Sequence, residues 1–398
     1  MKKILFTLTL IALFLAACGP TMPAIKIDRH PAPVSYAGFN TYSEPPKYDP
    51  NSNDSWQMDL RSTDLSHLDL SQSRDDLMYA IFDSKTTWPE KMPADFDWQA
   101  IMETGKNPGL GVRSLRERGI TGKGVGIAII DQPLVVEHQE YATQLRLYEE
   151  INVQPGTESQ MHGPAVASIA VGKTVGVAPE ADLYYIASWS GDFDNSGGFT
   201  YDFTYKAQAI RRIIEINTQL PPDRKIRVIS ISVGWNSDQS GYNEITDAVN
   251  EAKAAGIFVI SSSSEEIYGF KFHGLGRNPL ANPDDVGSYL PGSWWARDFY
   301  AGKYVEPRLL VPMDSRTTAS PNGNEDYVFY REGGWSWSIP YLAGMYALAA
   351  QVKPEITPEE FWKIAVETGQ TIEILHEGKS YQLGPILDPA ALIAALKY

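Results

Sequence analysis

From about residue 107 the chain alternates between short β-branched runs and helical segments, and this alternation restricts the fold more than any other feature. "GVGIAIID" (124–131) is a continuous apolar run without a polar face, as a strand buried on both sides of a parallel sheet requires. "ADLYYIAS" (181–188), "RVISISVG" (227–234) and "IFVISSSS" (257–264) read as strands too. Between them lie "HGPAVASIAVG" (162–172), small and apolar enough for a tightly packed helix, and the amphipathic "TYKAQAIRRIIEINTQ" (204–219). "YNEITDAVNEAKAAG" (242–256) is a further helix, closed by Gly256. Strand and helix in turn predict an α/β fold with a doubly wound, mostly parallel sheet flanked by helices. Residues 265–333 are rich in Gly, Pro, Trp and Asn and read as long loops with short strands. Helices return over 336–352 and 357–368, the second opened by Thr357 and Pro358.

The chain before residue 107 is of another kind. "MKKILFTLTLIALFLAACGP" has two lysines, an apolar run from Ile4 to Leu15 and small residues ending in Cys18. That run is too short to span a bilayer and predicts a signal peptide over 1–17. Cys18 is the single cysteine, so no disulfide forms within one chain. The "LAAC" tetrad resembles the lipobox of bacterial lipoproteins. This implies lipidation of Cys18 and anchoring at the outer face of the bacterial cytoplasmic membrane or the cell surface; an incidental cysteine in a secretory signal is the alternative. Residues 18–58, rich in Pro, Ser, Tyr and Asp, read as a tether or irregular wrap. An N-terminal extension of unclear fold follows over 59–106, and the α/β domain fills 107–398. Within the extension Asp-Leu recurs at 59–60, 64–65 and 69–70. Three such copies are too few to stack a solenoid and predict a small capping element or a coincidence. The formal net charge of -15 excludes nucleic acid as a partner, because phosphate contacts need a basic surface.

Functional side chains of open parallel sheets collect at the carboxyl ends of strands. Asp131 stands there, after "GIAII". His162 opens a small-residue helix, and Ser336, within "GWSWSIPYLAG" (334–344), heads another, where unpaired N–H groups and the helix dipole favour negative charge. Singly, each residue could be a turn or packing position. Together an acid, a base and a hydroxyl make a nucleophilic apparatus. Pro340 is expected in the first turn of that helix, where a missing N–H costs little.

"GITGKGVGIAIID", "HGPAVASIAVGKTVGVAPEADLYYIAS", "VISISVG" and "GWSWSIPYLAG" resemble, in order and spacing, the four sequence blocks of subtilisin-like serine peptidases. The chain order Asp, His, Ser is also theirs. The resemblance covers about residues 108–398. It implies Asp131 as the orienting acid, His162 as general base and Ser336 as nucleophile. Ser232, Val233 and Gly234 would pair with extended substrate backbone, and Ser262, Ser263 and Ser264 would wall the specificity pocket.

Three departures bear on chemistry. His162 is followed by Gly-Pro instead of Gly-Thr, and Trp335 and Trp337 replace the usual Thr and Met around the nucleophile. The family's oxyanion Asn falls on Glu265, in "SSSSEE", or on Ser264 or Glu266 with a one-residue slip. A protonated Glu265 could donate to the oxyanion, similar to the acidic residue that sedolisins use there. The turn "VGKTVGVAPE" is too short for the family's calcium loop. Asp192, Asp194 and Asn195 offer oxygen ligands for calcium, although an acidic Gly-rich turn is the better explanation of them. No zinc motif or phosphate-binding loop is present, so no metal or cofactor is expected. The sequence therefore points to a lipid-anchored, monomeric serine endopeptidase acting on polypeptides, or to a peptide-binding surface lipoprotein on a catalytically weak or inactive scaffold.

Overall fold

The computed structural model describes residues 25–396 apart from 39, 53, 194–196 and 305. The signal segment, Cys18, Asp194 and Asn195 lie outside the described residues. What is described of 18–58 wraps the domain. Asp28 N–H donates to Tyr148 O, Tyr148 N–H donates to Lys26 O, and the Arg29 guanidinium grips Glu150 at 2.6 and 2.8 Å.

The five-residue period is structural and not a coincidence. The carboxylates of Asp59, Asp64 and Asp69 accept from the N–H two residues on, in Arg61, Ser66 and Ser71, at 3.2, 2.9 and 3.2 Å. Each Asp thus closes one turn of a coil. The N–H groups of Leu60, Leu65 and Leu70 donate to Ile81, Thr87 and Lys91 carbonyls, and all three leucines are fully buried. Three rungs suffice because they stack on neighbours instead of further rungs. Helix α1 (Arg74–Leu77), strand β1 (Phe82–Asp83) and helix α2 (Trp98–Gly105) supply Leu77, Phe82, Ile101 and Met102, and Phe329 from far along the chain completes this core. Burying one such leucine stabilises by about 1.5–3 kcal/mol.

After helix α3 (Val112–Glu117) comes the central sheet. Its strands are β2 (Gly126–Asp131), β3 (Leu145–Ile151), β4 (Asp182–Ser188), β7 (Ile226–Ile231) and β8 (Phe258–Ser261), with the hairpin β5 (Gly191–Phe193) and β6 (Phe199–Tyr201) between them in the chain. The order is β3-β4-β2-β7-β8 and every pairing is parallel. Because strand side chains alternate in direction, Ile127 and Ile129 enter one core and Ala128 and Ile130 the other. Helix α4 (His162–Val171) packs in the first core, and α5 (Thr204–Gln219) and α6 (Tyr242–Ala254) in the second. The doubly wound α/β expectation holds. Two strands end earlier than the sequence suggests: β7 ends at Ile231 and β8 at Ser261, and Ser264 begins helix α7 (Ser264–Tyr268). Strand β3 has no counterpart in the sequence reading.

The region 265–333 contains β9 (Phe272–Arg277), β10 (Tyr289–Pro291), α8 (Ala296–Tyr300), β11 (Leu309–Pro312), β12 (Arg316–Ala319) and β13 (Tyr327–Tyr330). Strand β13 pairs antiparallel with β12 on one side and β1 on the other, which joins the N-terminal layer to the domain. Helix α9 (Trp335–Val352) runs buried into the first core. Helix α10 (Pro358–Glu367) starts as expected, with the Thr357 side chain accepting from Glu360 N–H. The hairpin β14 (Gln370–His376) and β15 (Lys379–Ile386) joins the β9–β11 sheet, and α11 (Pro389–Ala395) closes the fold.

Candidate active site

Asp131 ends β2, opposite Ala187 on β4, and is 6% exposed. His162 is the first residue of α4, and its Nδ1 lies 2.7 Å from Asp131 Oδ1, which also accepts the Gln132 N–H at 2.8 Å. A carboxylate at Nδ1 assigns the proton there and leaves Nε2 free to accept one. Burial would raise the Asp131 carboxyl, but His162, Lys206 and the Gln132 N–H outweigh it and hold the group below the usual carboxylate range. The glycine after His162 is sterically required, since a Cβ there would collide with the Gln132 carbonyl oxygen. The Trp337 ring closes one side of the imidazole edge-on, with centroids 5.3 Å apart.

Ser336 is the second residue of α9, behind Gly334 at φ 86°. Pro340 is not in the first turn, as the sequence suggested, but is the sixth residue of this helix. In a helix its N–H would have bonded the Ser336 carbonyl. Ser232 replaces that donor: its Oγ donates to Ser336 O at 3.1 Å, and Ser336 Oγ donates back to Ser232 O at 3.3 Å. Among the described residues no hydrogen bond joins Ser336 Oγ to His162. Aromatic rings pack around the turn, with Trp335 tilted on His273 at 5.1 Å and Trp337 edge-on to Tyr330 at 5.1 Å.

Ser232, Val233 and Gly234 leave β7 beside the serines that leave β8. Ser262 N–H donates to Val233 O at 3.4 Å, and Ser263 Oγ both accepts from Trp235 N–H at 2.9 Å and donates to Trp235 O at 3.2 Å. A Cβ at Gly234 would lie 3.1 Å from Ser262 Cβ. The two segments are therefore stitched together. Ser264 is turned inward, its Oγ donating to Ser261 O at 2.7 Å. Glu265 is exposed on α7 and lies 3.2 Å from Arg308 and 3.3 Å from Lys271.

Two further groups escaped the sequence reading. Lys206, in the amphipathic α5, is 2% exposed and donates to Ser188 O at 2.6 Å. Burial pulls its ammonium down to about 8, against the raising influence of Asp131. It lines a cavity of about 330 Å³ shared with Asp131, His162 and Ser232. Glu140, 1% exposed, accepts from Thr174 Oγ, Thr174 N–H, Val175 N–H and Tyr327 OH at 2.5, 2.9, 3.2 and 2.6 Å. It thus organises the short turn after α4 directly. No cluster of three or more His, Cys, Asp or Glu able to hold a metal occurs among the described residues, and Asp192 instead accepts from Asn152 at 3.1 Å. No helix among them is long and apolar enough to cross a membrane.

The parallel α/β core carries an acid–base pair at its strand ends, and residues 122–290 match the model of the subtilase family of peptidases. That segment holds Asp131 and His162 and stops short of Ser336. Among individual proteins, the chain is similar to "Subtilisin-like protease 2" of Trichophyton verrucosum, 27% identical over 237 residues that cover 58% of this chain and 51% of that one. The protein of the same name from Trichophyton rubrum is 24% identical over the same length and shares. The chain spans about half the length of these curated relatives. A solved structure of the prenylagaramide maturation protease PagA covers 72% of this chain and 98% of its own, at 16% identity and a TM-score of 0.47. The family match supports a serine peptidase.

Proposed function

We propose that the protein is a subtilisin-like serine endopeptidase that cleaves polypeptides through an acyl-enzyme on Ser336. The observation that carries this is the Asp131–His162 hydrogen bond of 2.7 Å at the strand ends, with Ser336 at the head of α9 tied to the same edge through Ser232. In this reading Ser336 Oγ turns from the Ser232 carbonyl toward the substrate, and His162 Nε2 takes its proton. Asp131 steadies the imidazolium, and His162 returns the proton to the leaving amine. Ser336 N–H, at the second position of α9, needs no intrahelical partner and faces the developing oxyanion. Water then hydrolyses the ester. The stitched Ser262–Ser263 and Val233–Trp235 segments form one wall beside the nucleophile, and Trp235 and Ser263 also border a cavity of about 350 Å³.

A second reading, a peptide-binding lipoprotein on an inactive scaffold, is favoured by the Ser336 hydroxyl bonding Ser232 and by the paired carboxylate of Glu265. A serine-directed fluorophosphonate separates the two. Labelling that Ser336→Ala abolishes supports the peptidase, and no labelling between pH 4 and 8 supports the binder. In either case we propose a monomer without cofactor or nucleic-acid partner, anchored through a lipid on Cys18 to the outer face of the membrane or the cell surface. Incorporation of a tagged fatty acid that Cys18→Ser removes tests the anchor.

A further inference from the structure

Lys206 is a buried cation that neither the fold nor the acyl-transfer scheme requires. It is 2% exposed and holds the carbonyl of Ser188 at 2.6 Å. Ser188 follows Ala187, the register partner of Asp131 on the neighbouring strand. With strands about 4.8 Å apart and a rise of about 3.3 Å per residue, that carbonyl belongs to a residue about 6 Å from Asp131 along the backbone frame. The ammonium lines the cavity that Asp131 and His162 also line.

Other charges on the packed elements are answered elsewhere. On β3, Glu149 pairs with Arg212 and Glu150 with Arg29, and on β4 Asp182 pairs with Arg146 and Arg224. On α6, Glu251 pairs with Arg211, beside which Glu244 and Asp247 also lie. Asp202, just before α5, accepts from Thr204 N–H at 2.9 Å. Tyr201 of β6 lines the same cavity. Asp131, His162 and Tyr201 are the other ionisable residues that line this cavity, and of these Asp131 is the one with a charge opposite to that of the Lys206 ammonium.

We propose that Lys206 is a positioning residue whose buried ammonium keeps Asp131 ionised and lets the Asp131–His162 pair act as a base at lower pH than the pair alone would. The sign follows from electrostatics. A nearby cation favours the Asp131 carboxylate and opposes a second positive charge beside it. The inference rests on the peptidase reading for its functional meaning, but its electrostatic content needs no turnover.

The test is an NMR titration of the His162 ring in the wild-type chain, Lys206→Met and Lys206→Arg. The expected midpoint is about one pH unit higher in Lys206→Met and returns toward wild type in Lys206→Arg. The acid limb of kcat/KM moves by the same amount if the protein turns over peptide. An unchanged midpoint in folded Lys206→Met overturns the proposal. If that variant does not fold, the wild-type ring signals decide, since a second inflection is expected as Lys206 loses its proton. Absence of that inflection across the alkaline range likewise overturns it. A shifted midpoint in a chain that fluorophosphonate never labels upholds Lys206 and sinks the peptidase reading alone.

Discussion

Glu140 offers the sharpest quantitative test of the domain's architecture. Its buried carboxylate receives four hydrogen bonds from Thr174, Val175 and Tyr327 at 2.5–3.2 Å. In Glu140→Gln the amide oxygen stays toward the Thr174 and Val175 N–H groups, and the NH₂ removes the charged acceptor of the Thr174 and Tyr327 hydroxyls. Hydrogen bonds to a charged group contribute about 1.5–3 kcal/mol each, so losing two charged-acceptor bonds costs up to about 3–6 kcal/mol. The pH dependence carries a definite sign. Burial would raise the Glu140 carboxyl, but bonds from Thr174, Tyr327 and Val175 outweigh burial and lower it. A lowered carboxyl contributes stability that is complete above the unfolded value of about 4.3 and fades as pH falls through the lower folded value. Urea unfolding of wild type and Glu140→Gln therefore shows a gap of several kcal/mol at neutral pH that narrows below about pH 4. A gap under about 1 kcal/mol, or one constant across that range, refutes the reasoning.

Three other outcomes are expected. Leu65→Ala, in the middle rung of the N-terminal coil, costs about 2–5 kcal/mol in the same assay because Leu65 is fully buried. Asp131→Asn lowers kcat by about 10⁴-fold with the fold intact by circular dichroism, since the amide no longer fixes the imidazole tautomer. Glu265→Asn raises kcat/KM on a peptide ester, by up to about 100-fold, if the side chain borders the oxyanion. An unchanged rate and pH profile places Glu265 with Arg308 and Lys271 as a surface pair.

The sequence exposes what is periodic and hides what depends on partners distant along the chain. Strands β2, β4, β7 and β8 were legible because strands buried on both faces must be apolar throughout. Strand β3 was not: it lies at the sheet edge, and its Arg146, Glu149 and Glu150 read as polar until paired with Asp182, Arg212 and Arg29. The "SSSS" run reads as strand because it continues the apolar "IFVI", but its hydroxyls bond backbone groups locally and turn the chain into α7, which periodicity does not report. Asp131, His162 and Ser336 could be picked out because each stands at a strand or helix end. Lys206 could not, since a lysine in an amphipathic helix ordinarily faces water. The leucine coil has too few rungs to stack on itself, and the sequence does not show that Phe329, distant along the chain, supplies its missing wall.

The pairing of β1 with β13 sets Phe82 against Phe329, roughly 250 residues further along the chain. At about 5–20 residues per second of synthesis, the N-terminal layer waits on the order of 10–50 s for the strand that closes it. During that interval its leucines have no complete core, and the same β13 that finishes the layer leads within a few residues into the helix carrying Ser336. Completion of the first-made part and delivery of the hydroxyl thus become one event, late in the life of the growing chain.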